Sequence, residues 1–156
     1  PDTVAIQSLS MTLSNGLYLI KNGAYFVGRS PAEDLSLRPK RILLLPEGVT
    51  APRWEVESTG EHYILKAQGA PTTSIGGEVY ALLVNEDGAE KWKLEKDVKR
   101  GDNFYVISSN NGSTGWIAPS DPEKQIACHA QIVGMSLPPT YPGNESFEFI
   151  RIDRED

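Results

Sequence analysis

The chain has 156 residues, a net charge of −6 and one cysteine. That length is one domain's worth and buries a core without metal or disulfide staples, and the lone Cys128 excludes an intrachain bridge and favours a reducing compartment. The acidic balance argues against a binder of phosphate backbones, so no nucleic-acid partner is expected, and no apolar run approaches the roughly 18 residues that a membrane span needs.

Residues 1–15 carry neither the basic start nor the long apolar centre of a signal peptide. The expectation is a cytoplasmic protein, although a leader removed before Pro1 would leave the same sequence. Residues 1–156 read as a single domain whose core begins at about residue 16, with 1–15 as an N-terminal extension. Helical periodicity is nearly absent. Short runs rich in Val, Ile, Tyr and Leu, bounded by Gly, Pro, Asn and Asp, predict twelve strands instead. They fall near 16–22, 25–29, 41–46, 53–58, 62–68, 73–76, 79–84, 91–96, 103–108, 115–118, 126–133 and 146–152. Asn22-Gly23 and Asp87-Gly88 are suited to tight hairpins, because such dipeptides supply positive φ. Asn111 and Asn144 match the glycosylation pattern but sit in turn-like sequence.

A pattern recurs along these strands. Trp54-Glu-Val56 is followed by Tyr63-Ile-Leu65, and Trp92-Lys-Leu94 by Tyr105-Val-Ile107. Tyr18-Leu-Ile20 opens the series and Phe147-Glu-Phe149 closes it, with tyrosines at intervals of roughly 40–45 residues. Alternation in Trp54–Glu57 and Trp92–Glu95 puts apolar residues on one face and charges on the other. Three repeats of four strands, with the last strand pairing the first, predict an all-β fold of β-trefoil plan. Six strands would close a barrel without edges, and six more in hairpins would cap one end. Tyr18, Trp54, Tyr63, Trp92, Tyr105, Trp116 and Phe147 are the expected core. A β-sandwich is the competing architecture on strand spacing alone.

The search for catalytic chemistry is negative, so the chain reads as a protein that is not an enzyme. No nucleophile elbow, phosphate loop, dinucleotide fingerprint or paired-histidine zinc motif occurs. Two histidines, His62 and His129, cannot supply a three-histidine metal site, and neither metal nor cofactor is expected. Cys128 and His129 are adjacent in a strand-like run and so face opposite ways; Cys128 reads as a buried hydrophobe. Arg100-Gly101-Asp102, the triplet of adhesion ligands, reads as the turn between the eighth and ninth strands. The Gln-x-Trp signature of ricin-type lectins is missing: Arg53 and Lys91 immediately precede the tryptophans, and no Gln stands two residues before either.

There remains the stretch Gly28-Arg29-Ser30-Pro31 and the polar, proline-kinked, charge-rich segment that runs from it to Lys40. No other repeat reproduces it. The sequence GLYLIKNG, then VGRSPAEDLSLRPKRILLLPEG, WEVE and the closing FEF, resembles the fungal serine protease inhibitors of mushrooms, a β-trefoil family. The resemblance covers most of the chain from Gly16 on and is most specific in the first third. It implies reversible, substrate-like inhibition of a trypsin-like serine protease by a monomer, through the loop after the second strand, which here holds Arg29. Gly28, Arg29, Ser30 and Pro31 are then the protease-binding loop, with Arg29 as primary contact. A guanidinium suits a pocket with a buried carboxylate, Gly28 keeps the backbone accessible, and Pro31 stiffens the loop. Asp34 or Glu33 would brace the loop through backbone amides or Arg38.

The register has a difficulty. If Arg29–Ser30 is the scissile bond, Pro31 stands where many such loops offer an N–H to the enzyme. Lys40 and Arg41 are the alternatives within the segment, although they lead directly into Leu-Leu-Leu-Pro and read as paired strand. Lys124, in another loop, comes next, and Arg38 is disfavoured by the proline after it. The alternative functions are a carbohydrate-binding trefoil and a cysteine protease inhibitor acting through a different loop.

Overall fold

The computed structural model describes residues 13–152; most of the expected N-terminal extension lies outside them. The described chain is all-β, with twelve strands, two single 3-10 turns and no α-helix. In order they are β1 (Gly16–Asn22), β2 (Tyr25–Arg29), β3 (Lys40–Leu44), β4 (Trp54–Ser58), β5 (Tyr63–Ala67) and β6 (Ala70–Ile75), then β7 (Glu78–Ala81), β8 (Lys93–Lys96), β9 (Phe104–Ser108), β10 (Gly115–Ile117), β11 (Ala127–His129) and β12 (Phe147–Ile152). Every expected strand is present, and most bounds shift by a residue or two.

Two rings of pairing organise them. In the first, β1 pairs β4, β4 pairs β5, β8 pairs β9, β9 pairs β12 and β12 returns to β1. The gap between β5 and β8 is closed by Tyr63 and Trp92, which exchange N–H···O bonds of 2.8 and 2.7 Å. In the second, the hairpins β2–β3, β6–β7 and β10–β11 are tied to one another. Lys40 and Arg41 pair with Ala81 and Tyr80, Ala127 with Glu78, and Gln125 with Leu43. Closure leaves few free strand edges.

The recurring aromatics explain why the rings close. Tyr18 lies opposite Trp54, Tyr63 opposite Trp92 and Tyr105 opposite Phe147, so each repeat joins its first strand to its last through one aromatic pair. Trp116, from the cap hairpin β10–β11, packs among Trp54, Trp92 and Phe147 with centroids 5.8, 5.5 and 5.9 Å away. All seven expected core aromatics are buried, in one cluster that runs from Tyr18 to Phe149. The indole N–H of Trp54 donates to the Val27 carbonyl and that of Trp92 to Thr72 Oγ1, which removes the cost of burying them.

Three local expectations are corrected. Asp87-Gly88 does not make a hairpin: Glu86–Gly88 is a 3-10 turn, and the left-handed residue is Asn85, at φ 56°. The reason is topological, since β7 belongs to the cap and β8 pairs β9 rather than β7. The eleventh strand stops at His129 and not at 133, because Ile132 gives its N–H to the Glu145 carboxylate instead of to a ladder. The sixth begins at Ala70, because Gln68 and Gly69, both at positive φ, turn the chain at once after β5. Cys128 is buried and His129 exposed, as adjacent strand residues should be; burial pushes the Cys128 thiol up, which keeps it protonated and unreactive. Arg100-Gly101-Asp102 is the β8–β9 turn, with Arg100 clamped on Asp97 and the Tyr141 carbonyl.

Candidate functional site

β2 and β3 pair at Val27–Leu44, Gly28–Leu43 and Arg29–Ile42. The ladder ends there, so residues 30–39 form a loop whose two stems are fixed. On one side Gly28 is pressed against the Pro52 ring: a Cβ there would fall 2.2 Å from Pro52 Cγ. On the other, Lys40 is held by pairing with Ala81 of β7. The Gly28 contact predicts that Gly28→Ala forces the stem apart, since a proline ring is closed onto its own backbone and has no free rotamer by which to swing aside. The expected loss is about 1–3 kcal/mol of stability in urea unfolding.

Each stem sends one cation inward under the loop. Arg29 forms a fork-to-fork ion pair with Glu33, with Nε 3.2 Å from Oε2, and donates from its third nitrogen to the Ala67 carbonyl at 3.3 Å. Its side chain is only 14% exposed. Lys40, also nearly buried, points its ammonium at the inside of the loop. It donates to the Asp34 carbonyl at 2.9 Å, to the Asp34 carboxylate and to Ser36 Oγ at 3.3 Å. The same carboxylate oxygen accepts the Ser36 N–H at 3.0 Å and its hydroxyl at 2.6 Å. Ser30 Oγ takes the Ala32 N–H, and Ser36 Oγ takes that of Arg38. The Lys40 ammonium and the two Ser36 donors hold the Asp34 carboxyl well below the usual carboxylate range. The loop is therefore tied from beneath, and what it shows to solvent is Pro31, Ala32, Asp34, Leu35, Leu37, Arg38 and Pro39.

The sequence-predicted residues divide. Gly28, Arg29, Ser30 and Pro31 are together at the first stem, with Gly28 buried and Pro31 exposed. Arg29 is at the stated place, but its guanidinium is turned inward onto Glu33 rather than outward. Lys40 is a brace with a buried ammonium. Arg41 is exposed on β3, opposite Tyr80. Lys124 lies in the cap, where its carbonyl accepts the Leu44 N–H, and its exposed ammonium stands 3.8 Å from Asp121. Bracing by Asp34 and Glu33 was legible, and Asp34 does accept a backbone amide, that of Ser36, but the charged partners are Lys40 for Asp34 and Arg29 for Glu33 rather than Arg38. The exposure of Leu35 and Leu37 was not legible, because an apolar residue in a sequence reads as core. A cavity of about 660 Å³ adjoins the first stem, walled by Arg29, Pro31, Thr50, Pro52, Arg53 and Gln68 among others.

The chain was compared with known proteins. Residues 11–151 match the model of the peptidase inhibitor I66 family. A serine protease inhibitor of Lentinula edodes is 44% identical over 143 residues, which cover 91% of this chain and 100% of that protein. The structure of a proteinase inhibitor from Coprinopsis cinerea superposes with a TM-score of 0.83 at 33% identity, over 90% of this chain and 100% of the other. A designed threefold-symmetric protein, ThreeFoil, superposes with a TM-score of 0.63 at 14% identity, over 88% and 99% of the two chains; that likeness concerns the fold alone. With nearly its whole length matched, the chain belongs to the peptidase inhibitor I66 family, whose members restrain proteases and are not enzymes themselves.

Proposed function

We propose that the protein is a reversible, substrate-like inhibitor of a serine protease, and that the loop of residues 30–39, with Arg29 at its first stem, is the segment that enters the protease cleft. The observation that carries this is the bracing of the loop from beneath by the Arg29–Glu33 and Lys40–Asp34 pairs. A loop ordered before binding loses little entropy on docking. If cut, it keeps its two ends together for resealing. The 44% identity to an inhibitor named for serine proteases supports that protease class. The fold is a monomeric β-trefoil of one domain. The six-strand ring, the three tied hairpins and the three equivalent aromatic pairs support the β-trefoil plan.

For a trypsin-like target Arg29 is the primary contact. Its guanidinium already sits on a carboxylate in the fork geometry that such a pocket would offer. Docking then exchanges Glu33 for the enzyme's acid, and the cost is that of opening the first stem. The test is a titration of trypsin with the parent protein and with Arg29→Glu. The expected result is stoichiometric inhibition by the parent and a loss of at least about 100-fold in the variant, as for a charge reversed against a buried acid. A parent that leaves trypsin untouched ends the trypsin-like reading, and a glycan-array signal alongside would favour a carbohydrate-binding protein.

A further inference from the structure

Which side chain of the loop is presented as a substrate presents its own? Arg29 is occupied by Glu33 and the Ala67 carbonyl, and Lys40 by Asp34 and Ser36. Leu35 is 99% exposed, and Leu37, two residues on, is 63% exposed. An exposed leucine by itself needs no explanation. This one stands between two residues that are both tied down. Asp34 before it is fixed through carbonyl and carboxylate, and Ser36 after it through amide and hydroxyl.

The ties cross the bond between Leu35 and Ser36. The Lys40 ammonium holds the Asp34 carbonyl on one side and Ser36 Oγ on the other. The Asp34 carboxylate reaches across to the Ser36 N–H and hydroxyl. If a protease cut that bond, the new ends would remain joined through a buried cation and its partners. Such a link favours resealing over release. The register also removes the difficulty at Pro31: the second residue after this bond is Leu37, which carries an N–H.

We propose that Leu35 is the primary contact for a serine protease with an apolar specificity pocket, of the chymotrypsin type. This rests on the reading that residues 30–39 are the protease-contacting loop, but not on any role for Arg29. Leu35 gives up no hydrogen bond or ion pair when it enters a pocket, and its backbone is already ordered, so its whole apolar surface counts toward binding. Leu37 would pack along the cleft on the far side of the bond.

The experiment titrates chymotrypsin and trypsin in parallel with the parent, Leu35→Arg, Leu35→Gly and Arg29→Glu. The parent should inhibit chymotrypsin stoichiometrically. Leu35→Gly should weaken that by about 100-fold or more, as loss of a buried anchor does, and Leu35→Arg should lose chymotrypsin and gain trypsin. Thermal unfolding of both Leu35 variants should match the parent, since the side chain touches solvent only. Chymotrypsin inhibited equally by the parent and both Leu35 variants overturns the proposal. If the parent inhibits trypsin alone and Arg29→Glu abolishes it, the loop stands and Leu35 falls. If the parent inhibits neither enzyme, both readings fall together.

Discussion

Lys40→Met should turn the inhibitor into a substrate. Methionine keeps the apolar stem of the buried side chain, so β3 should still pair with β7. What disappears is the ammonium that ties Asp34 to Ser36. Ordering a residue costs roughly 1–2 kcal/mol, and with two or three loop residues released the inhibition constant should rise about 100-fold. Cleavage in the loop should appear on a gel within the time of the assay. Unchanged inhibition and an uncut loop would mean that the brace is not what orders it. The partner substitution behaves differently. The Asp34 side chain is 70% exposed and that of Lys40 only 6%, so Asp34→Ala leaves a buried cation without its carboxylate, whereas Lys40→Met leaves a carboxylate in water. Asp34→Ala should therefore lower the Tm more than Lys40→Met.

The same pair has a pH signature. The Asp34 carboxyl is depressed in the folded protein from its ordinary 3.8, first by the Lys40 ammonium and then by the Ser36 donors. Its contribution to stability is fully present above about 3.8 and is lost as pH falls from there through the depressed folded value. The loop carboxylate should still be ionised at about pH 3, an outcome that a side-chain NMR titration reads directly. In Lys40→Met its titration should move back up toward the ordinary value.

The largest stability effect should come from Trp116→Ala. Among the described residues Trp116 is the one aromatic that stacks against all three of Trp54, Trp92 and Phe147, the equivalent aromatics at the ends of the three repeats. Truncation opens a cavity where they meet, and large-to-small changes of this kind cost about 3–5 kcal/mol. For a chain of this length that is about 10 °C or more in Tm. Trp116→Phe should cost much less, because the Trp116 indole N–H has no hydrogen-bond partner among the described residues and phenylalanine removes only volume. Trp54→Phe is the control: it strands the Val27 carbonyl, which accepts the Trp54 N–H at 2.8 Å, and adds about 1 kcal/mol to the volume loss. Urea midpoints at constant slope would rank the three. A Trp116→Phe variant as damaged as Trp116→Ala would remove this account of the centre.

The cross-strand pairs Tyr18–Trp54, Tyr63–Trp92 and Tyr105–Phe147 came only with the structure, since the sequence groups Trp54 with Tyr63 and Trp92 with Tyr105. The all-β class, the strand positions and the recurring core aromatics were legible before any coordinates. Each rests on a period-2 alternation or a repeated tripeptide, and such patterns are local. The location of the loop was legible too, because prolines and charges at 31–40 interrupt a repeat that is otherwise kept. Residue by residue, the loop was not. Whether Lys40 points in or out depends on its register with Ala81, which is 41 positions away in the chain and belongs to another hairpin. Arg29 has the charge for an acidic pocket, but only the packing of β2 against the turn after β5 brings the Ala67 carbonyl to it and aims it inward. Asp87-Gly88 had the chemistry of a hairpin and no partner strand to make one.

The sequence by itself determined a closed all-β protein with an interrupted first repeat, because alternation, turns and recurrence are written in neighbouring residues. Tertiary structure decided which side chains of that interruption are braces and which are on display. Lys40 and Arg29, the obvious cations, are spent inside the loop, and Leu35, which any composition rule would bury, stands in solvent. The physical reason is that an exposed loop stays ordered only if its polar groups find partners beneath it, and once they do, what remains outside is whatever the brace does not need.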